Sequence, residues 1–187
     1  MNFKRLKILR VAARVIRCHT TPTIHTQSVG EHTFGALNIL YTIDTAPSAQ
    51  LVRFLLWHDV PEAITGDVPA PAKRYSKVLR AGLGEAEAKI IAEYDLMPDT
   101  DLTPKERDKA FYCDLMDLAI FAAEEADFGN AAAPVLMRRA LAAISQRGLQ
   151  GVTPAASDLY ALACSKLSRY NMAYAESTMN GWFHYDE

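Results

Sequence analysis

Five histidines occur in this 187-residue chain, and two of them fall among carboxylates and strongly apolar residues. His58 and Asp59 follow the run Phe54-Leu55-Leu56-Trp57, where a polar pair buried without partners would be costly. Adjacent side chains on a helix project about 100° apart, so these two converge only on a point between their directions. A divalent cation at that point would take lone pairs from imidazole and carboxylate alike. His32, near the start of the preceding helix, supplies a third ligand if the two helices pack antiparallel. Asp114, in another apolar helix, supplies a fourth, and Asp117, one turn on, competes for that place. Two imidazoles and two carboxylates suit Mn, Co, Ni, Zn or Fe, acting as a Lewis acid with positions open to water. The plainer reading of the same residues is a surface ion pair and a capping-turn histidine, and a bare His-Asp dipeptide does not decide between them.

The elements that must position these residues read as helices. Phe3, Leu6, Leu9, Ala13 and Ile16 form an apolar stripe on a first helix, which ends before Thr20-Thr21-Pro22 because proline disfavours helical geometry at the residue before it. After an irregular segment to about Gln27, Ser28-Val29-Gly30-Glu31 has the form of a capping box, so a second helix begins near Val29 with His32 in its first turn. Leu51, Val52, Leu55, Leu56 and Val60 mark a third helix, kinked by Pro61 just after His58-Asp59. Gly66 to Pro71 is rich in turn formers and reads as a loop. Further helices are predicted from about 76 to 93, 104 to 127, 132 to 146, and from 154 into the 170s, two of them opened by Thr-Pro pairs at 103–104 and 153–154. No convincing strand or repeat is found, and the fold class is all-α, a compact helical bundle.

Half of the residues are hydrophobic and 22% are charged, which suits one domain over 1–187 with a substantial core. The near-neutral net charge of -2, without long runs of one sign, argues against a nucleic-acid polymer or a membrane surface as partner. No apolar run approaches a membrane span. Cys18, Cys113 and Cys164 are odd in number and far apart, which disfavours a disulfide framework and a zinc-thiolate site and fits a reducing cytoplasm.

Two strings carry a more specific signal. Ser28-Val29-Gly30-Glu31-His32, together with the stretch from Leu56-Trp57-His58-Asp59 through Glu62 and Thr65-Gly66-Asp67-Val68-Pro69 to Lys73, resembles the HD-domain metal-dependent phosphohydrolases. Among these it is most similar to the bacterial 5'-deoxynucleotidases and the phage dATP triphosphohydrolases, over roughly residues 10–130. The resemblance implies an HD-domain helical bundle and metal ligation by His32, His58, Asp59 and Asp114. Asp114 is preferred to Asp117 because the family's last aspartate precedes a Glu-Glu pair by about three helical turns, as Asp114 precedes Glu124-Glu125. It further implies Glu62 as the catalytic glutamate, Asp67 as the carboxylate that contacts the sugar, Lys73 on the phosphate side and Arg17 against the nucleotide. Cys18 and His19 follow that arginine in the substrate segment, Cys18 standing where relatives often carry an aromatic. Phe111 stands where relatives carry a lysine, and Pro61 lies inside the family helix.

The implied activity is cleavage of the bond between the 5'-oxygen and the α-phosphorus of a deoxyribonucleotide. Its products are deoxynucleoside and triphosphate from dATP, or deoxynucleoside and phosphate from dAMP. One divalent ion is expected, and magnesium could accompany the phosphates. A broad deoxynucleoside 5'-monophosphatase and a non-catalytic regulatory nucleotide-binding protein are the alternatives. The partner is a small-molecule deoxyribonucleotide, and the relatives imply a homo-oligomer, a dimer or a hexamer, in a bacterial or phage-infected cytoplasm. His25 is a candidate for lining a base pocket, while Trp182-Phe183-Tyr185 reads as an apolar cluster buried against a helix or subunit.

Overall fold

The computed structural model describes residues 3–97 and 101–170; the Trp182-Phe183-Tyr185 cluster and His184 lie outside them. The described chain is a helical bundle in the order α1 (Phe3–Ala12), α2 (Val29–Ile43), α3 (Ala49–Trp57), α4 (Glu62–Thr65), α5 (Ala70–Tyr75), α6 (Lys77–Tyr94), α7 (Pro104–Asp127), α8 (Ala133–Gln146) and α9 (Pro154–Ser168). Most starts follow from side-chain caps. Ser28 accepts from the Glu31 amide while the Glu31 carboxylate accepts from the Ser28 amide, and Thr103 and Glu106 repeat this box at α7. Thr153 caps α9 through the Ala156 amide, with Pro154 in its first turn, where a missing N–H costs nothing.

Helix α7 runs through the middle of the main core. Alanines at 110, 119, 122 and 123 share this core with Ala140 and Met137 of α8 and the apolar stripe of α2, and such small side chains let helices approach closely. Along α2 the buried positions Val29, His32, Ala36, Ile39, Leu40 and Ile43 recur at helical spacing. His32 is therefore carried into the interior by the same face that builds the core. Leu40, Leu51 and Leu55 are essentially inaccessible, each contributing about 1.5–3 kcal/mol by burial. A smaller cluster joins Ile8 and Ala12 of α1 to Val60, Ile90 and Leu96, and Trp57 packs against both clusters.

Several elements depart from the sequence reading. Helix α1 stops at Ala12, and Ile16–Arg17 (β1) pairs antiparallel with Gln27–Ser28 (β2), Arg17 opposite Gln27. The expected stripe is mostly exposed: Phe3, Leu6, Ala13 and Ile16 face solvent, and the buried residues are Ile8 and Ala12. The cause is the N-terminus of α2, whose first amides lack partners within the helix and need acceptors. The carbonyls of Val15 and Ala13 accept from Val29 and Gly30, which draws residues 13–17 out of the helix. At Pro61 the chain breaks rather than kinks: α3 ends at Trp57, a turn carries His58 to Pro61, and α4 starts anew at Glu62. The predicted 66–71 loop is shorter, since α5 already begins at Ala70 with Pro71 in its first turn.

Candidate functional site

His58 and Asp59 lie in the turn directly after α3. His58 keeps right-handed helical dihedrals there, and its Nε2 lies 3.4 Å from Asp59 Oδ1, between the two side-chain directions. Across from them, His32 Nε2 is 3.3 Å from His58 Nε2 and 3.6 Å from Asp59 Oδ2. Asp114 of α7 brings Oδ1 to 3.1 Å from the same His32 nitrogen. His32, His58 and Asp59 offer ligand atoms close enough to share one ion, and Asp114 stands beside them.

Both imidazoles are fixed from behind. His58 Nδ1 faces the Leu55 carbonyl at 2.8 Å, and His32 Nδ1 faces Asp117 Oδ2 at 2.6 Å. Since a carbonyl and a carboxylate can only accept, both Nδ1 atoms carry the proton. The two Nε2 lone pairs are then left pointing at one another among carboxylate oxygens. Such a concentration of lone pairs needs a positive charge between them, either an extra proton on His32 or a metal cation. Burial alone would depress the His32 pKa, but hydrogen bonds to Asp114 and Asp117 outweigh it and raise the value to about 9. The donor set, two neutral imidazoles and two carboxylates, fits a borderline divalent ion.

Arg17, placed by β1, borders this cluster. Its Nη2 is 3.6 Å from Asp114 Oδ1 and its Nε 3.9 Å from Asp59 Oδ2. Nη1 is buried without a hydrogen-bond partner, as is Oε2 of Glu62. Burial, followed by repulsion from Asp59 and Asp67, raises the Glu62 pKa to about 8. A carboxylic acid that keeps its proton at neutral pH beside a cation site can serve as a general acid.

Asp67 and Lys73 both act electrostatically on Glu62. Asp67 Oδ2 accepts the backbone N–H of Cys18 at 3.0 Å and lies 3.5 Å from His19 Nδ1. Lys73 sits in the last turn of α5, and its charge acts on Glu62 and on Glu87 of α6. His25 is placed elsewhere, packed on Phe128 at a ring separation of 4.5 Å and bound to Glu125. It lines a groove of about 490 Å³ with Gln27, Phe34, Asn38 and Phe121 that contains none of His58, Asp59 or Asp114.

Sequence reasoning missed how the segment before α2 is anchored. Glu125, read only as a landmark, is buried and accepts from the amides of Ile24 and His25, from His25 Nδ1 and from Asn130, fixing the segment that leads into β2. Gln27 donates to Asp117 Oδ2 at 3.0 Å. Gly35, inside α2, is where a Cβ would stand 1.9 Å from Asp117 Oδ1. A glycine inside a helix costs about 1 kcal/mol relative to alanine, and that local anomaly was the available signal.

Helices in this order, bringing a histidine of α2 to the His-Asp pair that breaks the chain after α3 and to an aspartate of α7, define the HD-domain class of metal-dependent phosphohydrolases. The 5'-deoxynucleotidase YfbR-like family profile matches residues 4–153, and the chain belongs to that family, the deoxynucleotide phosphohydrolases. Among solved structures the fold is similar to the cyanophage S-2L HD phosphohydrolase DatZ, determined bound to dA and one catalytic Zn2+ ion. That likeness has a TM-score of 0.62 at 20% identity, over 90% of this chain and 97% of that one. It is also similar to the PH0347 protein of Pyrococcus horikoshii OT3, with a TM-score of 0.55 at 15% identity, over 96% of each chain. No curated protein sequence matches. No helix among the described residues is long and apolar enough to cross a membrane.

Proposed function

We propose that this chain cleaves the bond between the 5'-oxygen and the α-phosphorus of a deoxyribonucleotide, with dATP and dAMP the favoured substrates. The observation that carries the reading is the convergence of His32, His58, Asp59 and Asp114 beside Arg17, which pairs a cation site with an anion-binding side chain. His32 and His58 through Nε2, and Asp59 and Asp114 through carboxylate oxygens, would hold one divalent ion. Zinc is favoured, since the similarly folded cyanophage phosphohydrolase holds a catalytic Zn2+. Such an ion supplies an acidified water and polarises a phosphate oxygen.

The side chains do the rest. Arg17, its Nη1 without a partner, would grip a phosphate oxygen with its planar fork, and Lys73 would add a point charge from α5. Glu62 would hold its proton on the carboxyl and pass it to the 5'-oxygen as the water-derived oxygen bonds to phosphorus and the 5'-O–P bond breaks, so that deoxynucleoside leaves neutral and the phosphate or triphosphate carries the new oxygen. Asp67 would accept from a sugar hydroxyl through lone pairs not engaged by Cys18. Cys18 and His19, beside Arg17, would border the nucleoside. The dA bound by the cyanophage relative supports an adenine deoxynucleoside as the leaving product. The Arg17-Cys18-His19-Thr20 segment and the Pro69-Ala70-Pro71-Ala72-Lys73 stretch, both phage-like, incline the reading toward dATP over dAMP.

Incubating zinc-, cobalt- or manganese-loaded protein with dATP, dAMP, other deoxynucleotides and ATP, then separating products by chromatography, tests this. Deoxyadenosine with triphosphate is expected from dATP, and deoxyadenosine with phosphate if the monophosphate is the true substrate. Absence of nucleoside from every nucleotide with every metal overturns the proposal.

A further inference from the structure

We infer that Asp117 is a positioning residue for His32, steadied by Gln27 and given its space by Gly35. This deepens the proposed function and rests on His32 acting as a metal ligand through Nε2. The carboxylate of Asp117 is buried, and its Oδ2 accepts from His32 Nδ1 at 2.6 Å and from Gln27 Nε2 at 3.0 Å. Because Asp117 takes the ring nitrogen away from the His58-Asp59-Asp114 cluster, it does not join His32 Nε2 on a common ion. Its effect is to hold the Nδ1–H tautomer, aim the Nε2 lone pair into the cluster and raise the basicity of the ring.

The surroundings are arranged around this contact. Asp117 and Asp114 lie three residues apart on the same face of α7, so one turn of helix presents a carboxylate to each nitrogen of the same ring. Gln27 is held in β2 opposite Arg17, which ties the strand that delivers Arg17 to the residue that steadies Asp117. Gly35 lies three residues after His32 on α2, and a Cβ there would stand 1.9 Å from Asp117 Oδ1. Since Asp117 is already tied by two hydrogen bonds through its other oxygen, it could yield only by swinging away from His32. The glycine, unfavourable for the helix as such, is what this carboxylate requires.

The test uses the full chain with zinc as the probe, reading the zinc dissociation constant by chelator competition and the low-field imidazole N–H resonance of His32 by NMR. Asp117→Ala should weaken zinc binding by about 10–100-fold and abolish the resonance. Gly35→Ala should move both readouts in the same direction, and the double variant should be no weaker than the worse single one, because both changes break the same contact. Asp117→Asn preserves shape and one accepting oxygen, so it should fold and fall between wild type and Asp117→Ala. Wild-type affinity in Asp117→Ala and Asp117→Asn, or full addition of the Gly35→Ala and Asp117→Ala losses, overturns the inference. A wild-type chain that binds no zinc, cobalt or manganese overturns instead the metal reading beneath it.

Discussion

The carboxylate of Asp67 accepts the backbone N–H of Cys18 at 3.0 Å, where Cys18 adopts a left-handed conformation with φ of 55°. A non-glycine residue pays about 1–2 kcal/mol to sit there, and the hydrogen bond to the Asp67 side chain offsets a cost of that size. The bend turns the chain away directly after Arg17, so the arginine stays against Asp59 and Asp114 while His19 is delivered to Asp67. β-Branching worsens left-handed geometry and glycine relieves it. Cys18→Val should therefore be less stable than Cys18→Gly by roughly 1–2 kcal/mol in thermal or denaturant unfolding. Equal stability of the two variants would show that this bend is not held in solution.

Glu62 should be indispensable for turnover but not for the ion. Replacing it with Gln or Ala is expected to lower kcat by about 10²–10⁴-fold while zinc remains bound. The acid is competent only while protonated, so activity should fall as pH rises through the Glu62 pKa, which burial holds above the ordinary glutamate value. Stability of the metal-free protein follows the same sign. Folded Glu62 keeps its proton up to about 8, whereas an ordinary glutamate loses it near 4.5. Between these values the native state binds more protons than the unfolded chain, and stability declines with pH by at most about 1.4 kcal/mol per unit from this residue. Glu62→Gln should flatten that slope; near wild-type turnover in this variant would remove Glu62 from the chemistry.

Metal binding should release a proton. In the metal-free protein His32 is charged up to about 9, and a divalent ion must take the Nε2 position that this proton occupies. At pH 7, calorimetry in buffers of different ionisation enthalpy should report about one proton released per zinc from this ring. Apparent zinc affinity should weaken by about tenfold for each unit of pH below 9, until other ligands begin to protonate. Pairing His32→Gln with wild type isolates the effect, and an unchanged proton count in the variant would place the proton elsewhere.

Glu125 is a structural clamp whose loss should be felt in stability. Its removal leaves the amides of Ile24 and His25 without their acceptor, so Glu125→Ala should destabilise the protein by about 3 kcal/mol in urea unfolding at neutral pH. Burial acts to raise its pKa, yet hydrogen bonds from Asn130, Ile24 and His25 prevail and lower it to about 2. The lowered value means that its stabilising contribution is complete above pH 4.5 and is lost as pH falls toward 2. Wild type and Glu125→Gln should differ most at neutral pH and converge in strong acid. A constant difference across that range would contradict the assignment.

Much of the architecture was legible because it depends on local signals. Ser28 with Glu31, Thr103 with Pro104 and Glu106, and Thr153 with Pro154 place three helix starts through bonds spanning at most four residues. The β1–β2 pair escaped notice because two-residue strands carry no periodicity and form only when α2 seeks acceptors for Val29 and Gly30. The exposed Phe3 and Leu6 likewise satisfy a helical pattern that tertiary packing, turned toward Ile8 and Ala12, does not use.

By itself the sequence determined the residue types of the site, the helices that carry them and the likeness of the His58-Asp59 to Lys73 stretch to a phosphohydrolase family. The tertiary structure alone decided which nitrogen of His32 meets which aspartate. A helix presents Asp114 and Asp117 on the same face, three residues apart, so spacing treats them as equivalent candidates. Only the depth and rotation at which α2 packs on α7 set Asp114 against Nε2 and Asp117 against Nδ1. That placement depends on contacts between segments more than eighty residues apart, which no local pattern encodes.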